Sequence, residues 1–328
     1  MSDRNNPTRG SASHSQYSFM EFMRDYPDDA ACLDFLWRSR YAPDGHTADC
    51  PKCERSRRFH RVASRPSYSC DSCGHHIHPT AGTIFHKSST SLQLWFYAIH
   101  LMTSTRCGVS AKHLERELGV TYKTAWRMFN LIRNKLMADD DEPLSGAVEI
   151  DETSVDGKPR KFQRSGPDPR RQSTSENISE AGKLRERRRA TVFAAVERGG
   201  RVKATVLPSR RGPRLREQAV EWVDPESIVM TDEWPAYNQL HRHFAKHSRI
   251  RHGALEYVDG EIHTNTIEGF FGNLKTGIRG NYKLVSHRWL QGYLNEFCWR
   301  YNHRHDRRAM FHTLIERAAE PAQRAAHS

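Results

Sequence analysis

The hydrophobic residues before residue 140 recur mainly with the period of an α-helix. Between Phe19 and Trp37 they predict a helical lead-in over residues 19–45, which Pro27 divides into two helices. A longer apolar stripe from Leu92 to Met102 predicts a further helix. Residues 1–18 carry few groups that could be buried, so we expect a disordered tail there.

A pair of short helices is predicted within residues 88–138. The first helix ends at the turn Gly119–Thr121, and the second has an apolar face that starts at Ala125 and repeats every three or four residues. Two short helices around such a turn are typical of a helix-turn-helix. Lys123 and Arg127 would then lie on the exposed face and contact DNA in its major groove. A plain helical hairpin between domains is the alternative.

From residue 147 onward, short apolar strands interrupt the helical pattern. Strands are predicted from Ala147, at Thr191–Glu197, at Val202–Leu207 and at Ser227–Thr231, with helices over Gly212–Trp222, 264–276 and 286–302. This order predicts a mixed-sheet α/β domain over residues 147–318. Within it, the basic stretch 157–189 has few apolar residues and is predicted to be a mobile loop.

The chain as a whole is basic and has no membrane-spanning pattern. Among 328 residues, Lys and Arg number 51 and Asp and Glu 39, which gives a formal net charge of +12 and favours nucleic acid as the partner. No apolar run reaches the roughly 20 residues that a membrane helix needs. The N-terminus also lacks the pattern of a secretory signal. We therefore expect a cytoplasmic protein without membrane contact.

Four of the seven cysteines follow the spacing of a zinc ribbon. Cys50 and Cys53 form one C-x2-C pair, and after a further sixteen residues Cys70 and Cys73 form a second pair. Four thiolates complete a tetrahedron around one Zn²⁺ and leave no open position, so a zinc ion within residues 46–86 would be structural. Two disulfides are the alternative. Three nearby histidines could compete as ligands: His75, His76 and His78.

Three carboxylates stand at places in the predicted α/β domain where they could meet. Asp151 comes at the end of the strand that begins at Ala147, Asp232 directly follows the strand Ser227–Thr231, and Glu268 lies within a helix. Side chains of this kind can converge on a pair of Mg²⁺ ions, which prefer hard oxygen ligands. Two such ions stabilise both the attacking and the leaving oxygen of an in-line displacement at phosphorus.

Further side chains could complete this site or compete for it. Lys275 and Asn265 share the helix face of Glu268, because they lie seven residues after it and three residues before it. Four acids are close rivals: Glu149, Glu152, Asp156 and Glu233. The alternation of side chains along a strand places Glu152 on the sheet face opposite Asp151, whereas Glu149 shares the face of Asp151.

A set of distinctive motifs runs in order from about residue 19 to 315. They are C-P-K-C, C-D-S-C-G, T-A-G-T-I-F-H-K-S-S-T, G-V-T-Y-K-T-A-W-R-M, V-E-I-D-E-T, T-D-E-W-P-A-Y, H-T-N-T-I-E-G-F-F-G-N-L-K and Y-L-N-E-F-C-W-R-Y-N-H-R. With these motifs the chain resembles DDE-type bacterial insertion-sequence transposases, in particular the ISXO2-like members, which combine an N-terminal zinc ribbon with an RNase H-like catalytic domain. The stretch Ser154–Gly157 departs from the Tyr-Val-Gly-Gly that is usual in the family.

The resemblance implies roles for the candidate site residues. Asp151, Asp232 and Glu268 would form the triad that binds Mg²⁺ or Mn²⁺, and Lys275 would assist them. Asn265 is the rival for the third position, because an Asn replaces the third acid in some family members.

The resemblance also implies an activity and its partners. Such an enzyme would bind the inverted-repeat ends of its element in double-stranded DNA, cleave them and join them to target DNA. It would act in the bacterial cytoplasm, associated with the nucleoid, as a homo-oligomer. A non-catalytic DNA-binding regulator and a metal-dependent nuclease of the same fold are the alternatives.

Overall fold

The computed structural model describes residues 17–105, 108–138, 141–156, 189–250 and 264–320. The chain divides into two compact units, of which the first combines residues 1–137 with residues 303–328 and the second comprises residues 138–302. Nearly all of the predicted tail and of the predicted basic loop, residues 1–16 and 157–188, lies outside the described residues.

The described part of the chain contains nine α-helices. They are α1 (Phe19–Asp25), α2 (Asp29–Arg40), α3 (Leu92–Ser104), α4 (Ala111–Leu118), α5 (Tyr122–Leu131), α6 (Gly212–Trp222), α7 (Asn265–Gly277), α8 (His287–Asn302) and α9 (Met310–Ala319). Short π-helical segments, Ile132–Leu136 and Ile278–Tyr282, follow α5 and α7. None of these helices combines the length and the apolar character that a bilayer crossing would require.

The first two helices start at side-chain caps. Ser18 accepts a hydrogen bond from the backbone N–H of Glu21, and the Glu21 carboxylate accepts one from the N–H of Ser18 in return, which forms a capping box. Asp28 caps α2 by accepting from the N–H of Ala31 at 2.8 Å. Pro27 lies between the two helices, where it was expected to separate them.

A four-stranded antiparallel sheet packs on α2 in the first unit. Its strands are β1 (Thr47–Cys50), β2 (Arg55–Val62), β3 (Ser67–Cys70) and β4 (His76–Ile77), in that order across the sheet. The fully buried indole of Trp37 stacks on Tyr68 with ring centres 4.2 Å apart and also contacts Phe59. Its Nε1 donates to the carbonyl of Gly45 at 2.9 Å. This side chain therefore anchors the small sheet to α2.

Helix α9, near the end of the chain, belongs to the first unit. Phe311 is buried against Tyr26 and Phe22, with ring centres 5.7 and 5.8 Å away. The sequence placed residues up to 318 in the α/β domain, whereas the structure groups residues 303 onward with the N-terminal helices. The helical period of an apolar stripe does not show which element covers its buried face, so this grouping could not be read from the sequence.

The second unit is built on a mixed five-stranded sheet. Its strands are β5 (Ala147–Asp156), β6 (Arg189–Glu197), β7 (Val202–Leu207), β8 (Ile228–Thr231) and β9 (Lys246–Arg249), in the order β7-β6-β5-β8-β9. The first three strands are antiparallel to one another, while β8 runs parallel to β5 and β9 runs parallel to β8. The predicted mixed α/β class is confirmed for this unit.

Helices cover both faces of this sheet. Val148 and Ile150 of β5 point into a core with Leu215 and Ala219 of α6. Residues at odd positions of β5 point the other way, and there α7 packs against β5 and β6. The strand that begins at Ala147 continues to Asp156, because β6 pairs with it along its full length.

Helix α8 lies along the free edge of the sheet at β7. The side-chain amide of Gln291 accepts a hydrogen bond from the N–H of Val206 at 3.0 Å and donates one to the carbonyl of Ala204 at 3.1 Å. Asn302 contacts the backbone of Val202 in the same two ways, at 2.8 and 3.1 Å. These two amides satisfy backbone groups that an edge strand otherwise leaves open for pairing with another chain.

Candidate functional site

Asp151 lies in the middle of β5 and not at its end. The expectation that the strand stops at Asp151 is wrong, because residues 152–156 remain paired with β6. On the other side of β5, however, pairing with β8 ends at Glu149 and Met230. Asp151 therefore lies beside the point where the parallel neighbour has ended, and its Oδ1 accepts a hydrogen bond from the N–H of Glu152 at 2.7 Å.

Asp232 directly follows β8, as the sequence predicted. The strand is buried through Val229, Met230 and Thr231 and ends directly before Asp232. The Asp232 carboxylate accepts a hydrogen bond from the N–H of Trp234 at 3.0 Å. This contact holds the carboxylate near the end of β8.

Glu268 lies in the first turn of α7, the helix that packs on the odd-numbered face of β5. Its Oε1 accepts a hydrogen bond from the hydroxyl of Thr264 at 3.1 Å, and the rest of the side chain is exposed. Asn265 is the first residue of the same helix and is exposed. Lys275, two turns farther along, is half-buried near the other end of α7.

The electrostatics of Asp151 link these three carboxylates. Burial raises the pKa of Asp151 to about 7, and the negative charges of Glu152, Asp232 and Glu268 add to this effect. The charges of Asp232 and Glu268 therefore act on Asp151 from two other elements of the second unit. Negative charge therefore accumulates around Asp151, and a bound cation would neutralise it.

The carboxylates are spread more widely than ligands of a single ion. Across the part of the chain that the structure describes, the four cysteines are the group of three or more potential ligands whose atoms all lie within 4.8 Å of one another. Asp151, Asp232 and Glu268 do not all approach so closely. The three carboxylates are therefore not arranged as the ligands of a single ion.

Two rival acids have other contacts. Glu152 points to the opposite face of the sheet, where its buried carboxylate accepts hydrogen bonds from Tyr237 and Arg210. Glu149 shares the face of Asp151, but it is fully buried and its carboxylate contacts the start of α7 and Arg198. Glu233 is exposed beside Asp232, and the side chain of Asp156 lies outside the described residues.

The four predicted cysteine ligands come together in the first unit. The Sγ atoms of Cys50 and Cys73 are 3.6 Å apart, and those of Cys53 and Cys70 are 4.0 Å apart. A tetrahedral zinc with Zn–S bonds of about 2.3 Å requires sulfurs about 3.8 Å apart, so the cluster has the right size for this ion. Disulfides would hold the sulfurs at about 2 Å, and these cysteines are not bonded to one another.

Local hydrogen bonds favour a thiolate in this cluster. Burial opposes ionisation of Cys50, but hydrogen bonds from the backbone of Cys53 and from the Cys73 thiol outweigh it and lower the pKa of Cys50 to about 7. The nearby histidines are not members of the group of four. His76 instead contacts the hydroxyl of Ser67 at 3.2 Å.

The two predicted DNA contacts lie on the exposed side of α5. The turn between α4 and α5 contains Gly119 at a φ of 63°, a conformation that glycine adopts without strain. Thr121 caps α5 by accepting from the N–H of Thr124 at 3.4 Å. Lys123 and Arg127 are exposed on this helix, four residues and hence about one turn apart.

Comparisons with known proteins decide the family. The sequence profile of the ISXO2-like transposase domain matches residues 143–302. The chain is also 31% identical over 227 residues to the "Uncharacterized protein in transposable element ISH50" of Halobacterium salinarum, an alignment that covers 67% of this chain and 74% of the relative. The chain belongs to the ISXO2-like transposase family. The predicted relationship to DDE-type insertion-sequence transposases is thereby confirmed.

The family match in this ISXO2-like transposase falls on one structural unit. Residues 143–302 lie within the second unit, 138–302, and they include Asp151, Asp232 and Glu268. Sequence reasoning missed the contact between Glu149 and the start of α7. No local pattern could have revealed this contact, because it joins residues 117 positions apart.

Proposed function

We propose that this family member is a DDE-type transposase that binds the ends of its own element, cleaves them and joins them to target DNA. The family match over residues 143–302 carries the proposal, and the raised pKa of Asp151, to which the charges of Asp232 and Glu268 contribute, supports it. The mixed sheet with helices on both faces supports an RNase H-like class for this unit.

The reaction would use the same site twice. In the first step, water attacks a phosphodiester at the element end, and the bond from phosphorus to the 3′ oxygen breaks, which leaves a free 3′-hydroxyl. In the second step, this hydroxyl attacks a phosphodiester of the target, and the 3′ oxygen of the target strand leaves. No covalent bond to the protein forms in either step, so the protein positions the reacting groups and balances charge.

The carboxylates fit divalent Mg²⁺ or Mn²⁺ as the cofactor. Their oxygens are hard ligands that suit such ions. The neighbouring negative charges that raise the pKa of Asp151 would also favour a bound cation. Ions held by Asp151, Asp232 and Glu268 would activate the attacking oxygen and stabilise the leaving one. Lys275, on the same helix as Glu268, would contact a phosphate of the DNA strand, and Asn265 is the alternative third ligand.

DNA recognition is assigned to the first unit. The cysteine cluster would hold a structural Zn²⁺ and so stabilise the four-stranded sheet as a zinc ribbon. The α4–α5 pair would act as a helix-turn-helix, with Lys123 and Arg127 at the DNA. Because a transposition event joins two element ends, we propose that the protein works as a homo-oligomer on DNA.

The test is a cleavage and joining assay with matched aspartate variants. Full-length protein is incubated with Mg²⁺ and a duplex that carries the inverted repeat flanking its gene, and both cleaved ends and joined products are measured. Asp232→Asn should abolish both products while DNA binding persists. Asp224→Asn is the control, because Asp224 caps a turn in the same unit by accepting from the N–H of Glu226, which an Asn can also do.

The products separate this proposal from its alternatives. Identical products from wild type and Asp232→Asn would show that the triad does not catalyse the reaction. Cleavage without joining would indicate a nuclease, and binding without cleavage would indicate a regulator. Either of these two results would contradict the transposase assignment for this chain.

A further inference from the structure

The buried carboxylate of Glu149 joins the strand that carries Asp151 to the helix that carries Glu268. Oε2 of Glu149 accepts hydrogen bonds from the backbone N–H groups of Thr266 at 2.9 Å and Ile267 at 3.1 Å. Oε1 accepts one from the hydroxyl of Thr266 at 3.0 Å and one from Nε of Arg198 at 2.8 Å. The side chain of Glu149 is 0% exposed.

These contacts make Glu149 the cap of α7. The residue at the usual capping position, Thr264, makes no side-chain hydrogen bond to the first turn of the helix backbone, and its hydroxyl donates to Glu268 instead. The free N–H groups at a helix start favour a negative charge, which a carboxylate from β5 provides here. The start of α7 is therefore fixed to the sheet by a residue 117 positions earlier in the chain.

The cap lies close in sequence to two of the proposed metal ligands. Asp151 is two residues after Glu149 on the same face of β5, a distance of about 6.7 Å along a strand. Glu268 follows directly after Ile267, which donates to Glu149. One buried carboxylate consequently links the backbone near Asp151 to the backbone next to Glu268, in addition to the packing of α7 on β5 and β6.

The hydrogen bonds of Glu149 also argue against a role as a metal ligand. Both of its oxygens already accept hydrogen bonds, and one of the donors is the cation of Arg198. A carboxylate that is satisfied by four donors in a site closed to solvent has little capacity left for an ion. Its role is to hold the residues that face the ions.

We propose that Glu149 is a positioning residue, which sets the distance between Asp151 and Glu268 and thereby the affinity of the site for divalent cations. The inference rests on the proposed function, because it takes these two residues as metal ligands. Residues that orient metal ligands through hydrogen bonds commonly change metal affinity by about 10–100-fold when they are replaced.

The test measures cation binding directly, in the full-length protein with its zinc retained. Mn²⁺ is titrated and free Mn²⁺ is followed by electron paramagnetic resonance. Glu149→Gln keeps the shape of the side chain but presents an NH₂ group to one of its donors. It should raise the Mn²⁺ concentration for half-saturation at least tenfold. At saturating Mn²⁺, the cleavage rate of this variant should return toward that of wild type.

Matched variants separate positioning from general loss of structure. Glu197→Gln is the control, because Glu197 also accepts from two backbone N–H groups, those of Ser145 and Arg201, but caps no site helix. It should leave the Mn²⁺ midpoint unchanged. Thr266→Val removes one donor to Glu149 and should raise the Mn²⁺ midpoint by a smaller factor than Glu149→Gln does. Thr266→Ser keeps the hydroxyl and should have the midpoint of wild type. This pair keeps the test valid if Glu149→Gln fails to fold.

The outcomes for the two proposals differ. An unchanged Mn²⁺ midpoint in folded Glu149→Gln or in Thr266→Val would overturn the positioning role, even if wild type cleaves and joins DNA. A wild type that binds Mn²⁺ but yields no DNA products would overturn the proposed function, and the Glu149 inference would still be decided by the midpoints. Both proposals would be overturned if wild type binds no Mn²⁺, or if Asp232→Asn leaves its Mn²⁺ binding unchanged.

Discussion

Asp151 lies on β5, and Asp232 directly follows β8, the parallel strand that pairs with β5. The last paired residues of β5 and β8 are Glu149 and Met230, and each aspartate lies two positions farther along. A step of two residues returns a side chain to the same face of a sheet, and parallel neighbours are about 4.8 Å apart. The register of one strand pair therefore brings Asp232 into the neighbourhood of Asp151, although the two are far apart in sequence, and the charge of Asp232 contributes to the raised pKa of Asp151.

Removal of one charge from this cluster should stabilise the second unit when no divalent cation is added. Burial, followed by the charges of Glu152 and Asp232, raises the pKa of Asp151 from 3.8 to about 7. Because this carboxyl has a higher pKa in the folded than in the unfolded protein, the free energy of unfolding falls as the pH rises from about 4 to about 7. Above pH 7 this loss of stability is complete. Asp151→Asn should thus add on the order of 1–3 kcal/mol at pH 8 and almost nothing near pH 4.

Thermal unfolding at both pH values, with zinc retained and without added Mg²⁺, measures this effect. Mg²⁺ should then raise the melting temperature of wild type but not of Asp151→Asn, since binding stabilises only a protein that has the site. Asp224→Asn, which changes an aspartate at a turn, should show no gain at pH 8. A gain of equal size at pH 4 and pH 8 would contradict the electrostatic explanation.

Loss of one thiol from the cysteine cluster should remove the metal and unfold the small sheet. A four-stranded sheet of this size has little core of its own, and a structural zinc contributes about 10–16 kcal/mol of apparent binding free energy in comparable small domains. Cys73→Ser should therefore contain no zinc, and residues 46–86 should become accessible to proteases. Zinc content by mass spectrometry and limited proteolysis provide the measurements.

A cysteine outside the cluster provides the control for this prediction. Cys298 is buried in α8 of the second unit, and it is not part of the cluster. Cys298→Ser should retain one zinc per chain. A full zinc complement in Cys73→Ser would show that the four thiols are not the ligands.

Elements defined by local hydrophobic pattern were predicted well from the sequence. The helix Gly212–Trp222 and the strand Val202–Leu207 have the bounds that the pattern indicated. The continuation of β5 beyond Asp151 could not be predicted in this way. Residues 152–156 are largely polar, and they remain in the strand because β6 supplies a partner for each of them.

The candidate site shows the same division between local and distant information. Carboxylates after or within apolar strands are visible in sequence, so Asp151 and Asp232 could be selected. Glu149 was a close rival, since it shares the sheet face of Asp151 but lies deeper in the same strand. Its different role is determined by the start of α7, which the chain reaches only after more than a hundred residues.

The amide of Gln291 should contribute to stability because it covers the edge of β7. It accepts from Val206 and donates to Ala204, so replacement leaves two backbone groups of an edge strand without these partners. Gln291→Met keeps the length of the side chain and should destabilise the second unit by about 1–3 kcal/mol in urea unfolding. It should also increase concentration-dependent self-association in light scattering, because the edge becomes available for pairing.

A glutamine on an exposed helix face is the matched control for the edge strand. Gln218 of α6 is half-buried and donates to the exposed Glu221 on the same helix at 3.0 Å. Gln218→Met should change stability by less than about 0.5 kcal/mol. Equal effects of the two substitutions would show that the edge contacts of Gln291 contribute nothing specific.

Lys123 and Arg127, on the exposed side of α5, should contribute to DNA affinity through charge and position together. Lys123→Ala and Arg127→Ala should each weaken binding to an element-end duplex and reduce the slope of log affinity against log salt by about 1, as expected for one lost phosphate contact. If Arg127 reads a base, its variant should in addition lose discrimination between end and random DNA.

Lys135→Ala is the control, because Lys135 is equally exposed but lies beyond the end of α5. An effect of Lys135→Ala as large as that of Lys123→Ala would indicate that net charge, and not the exposed face of α5, determines binding.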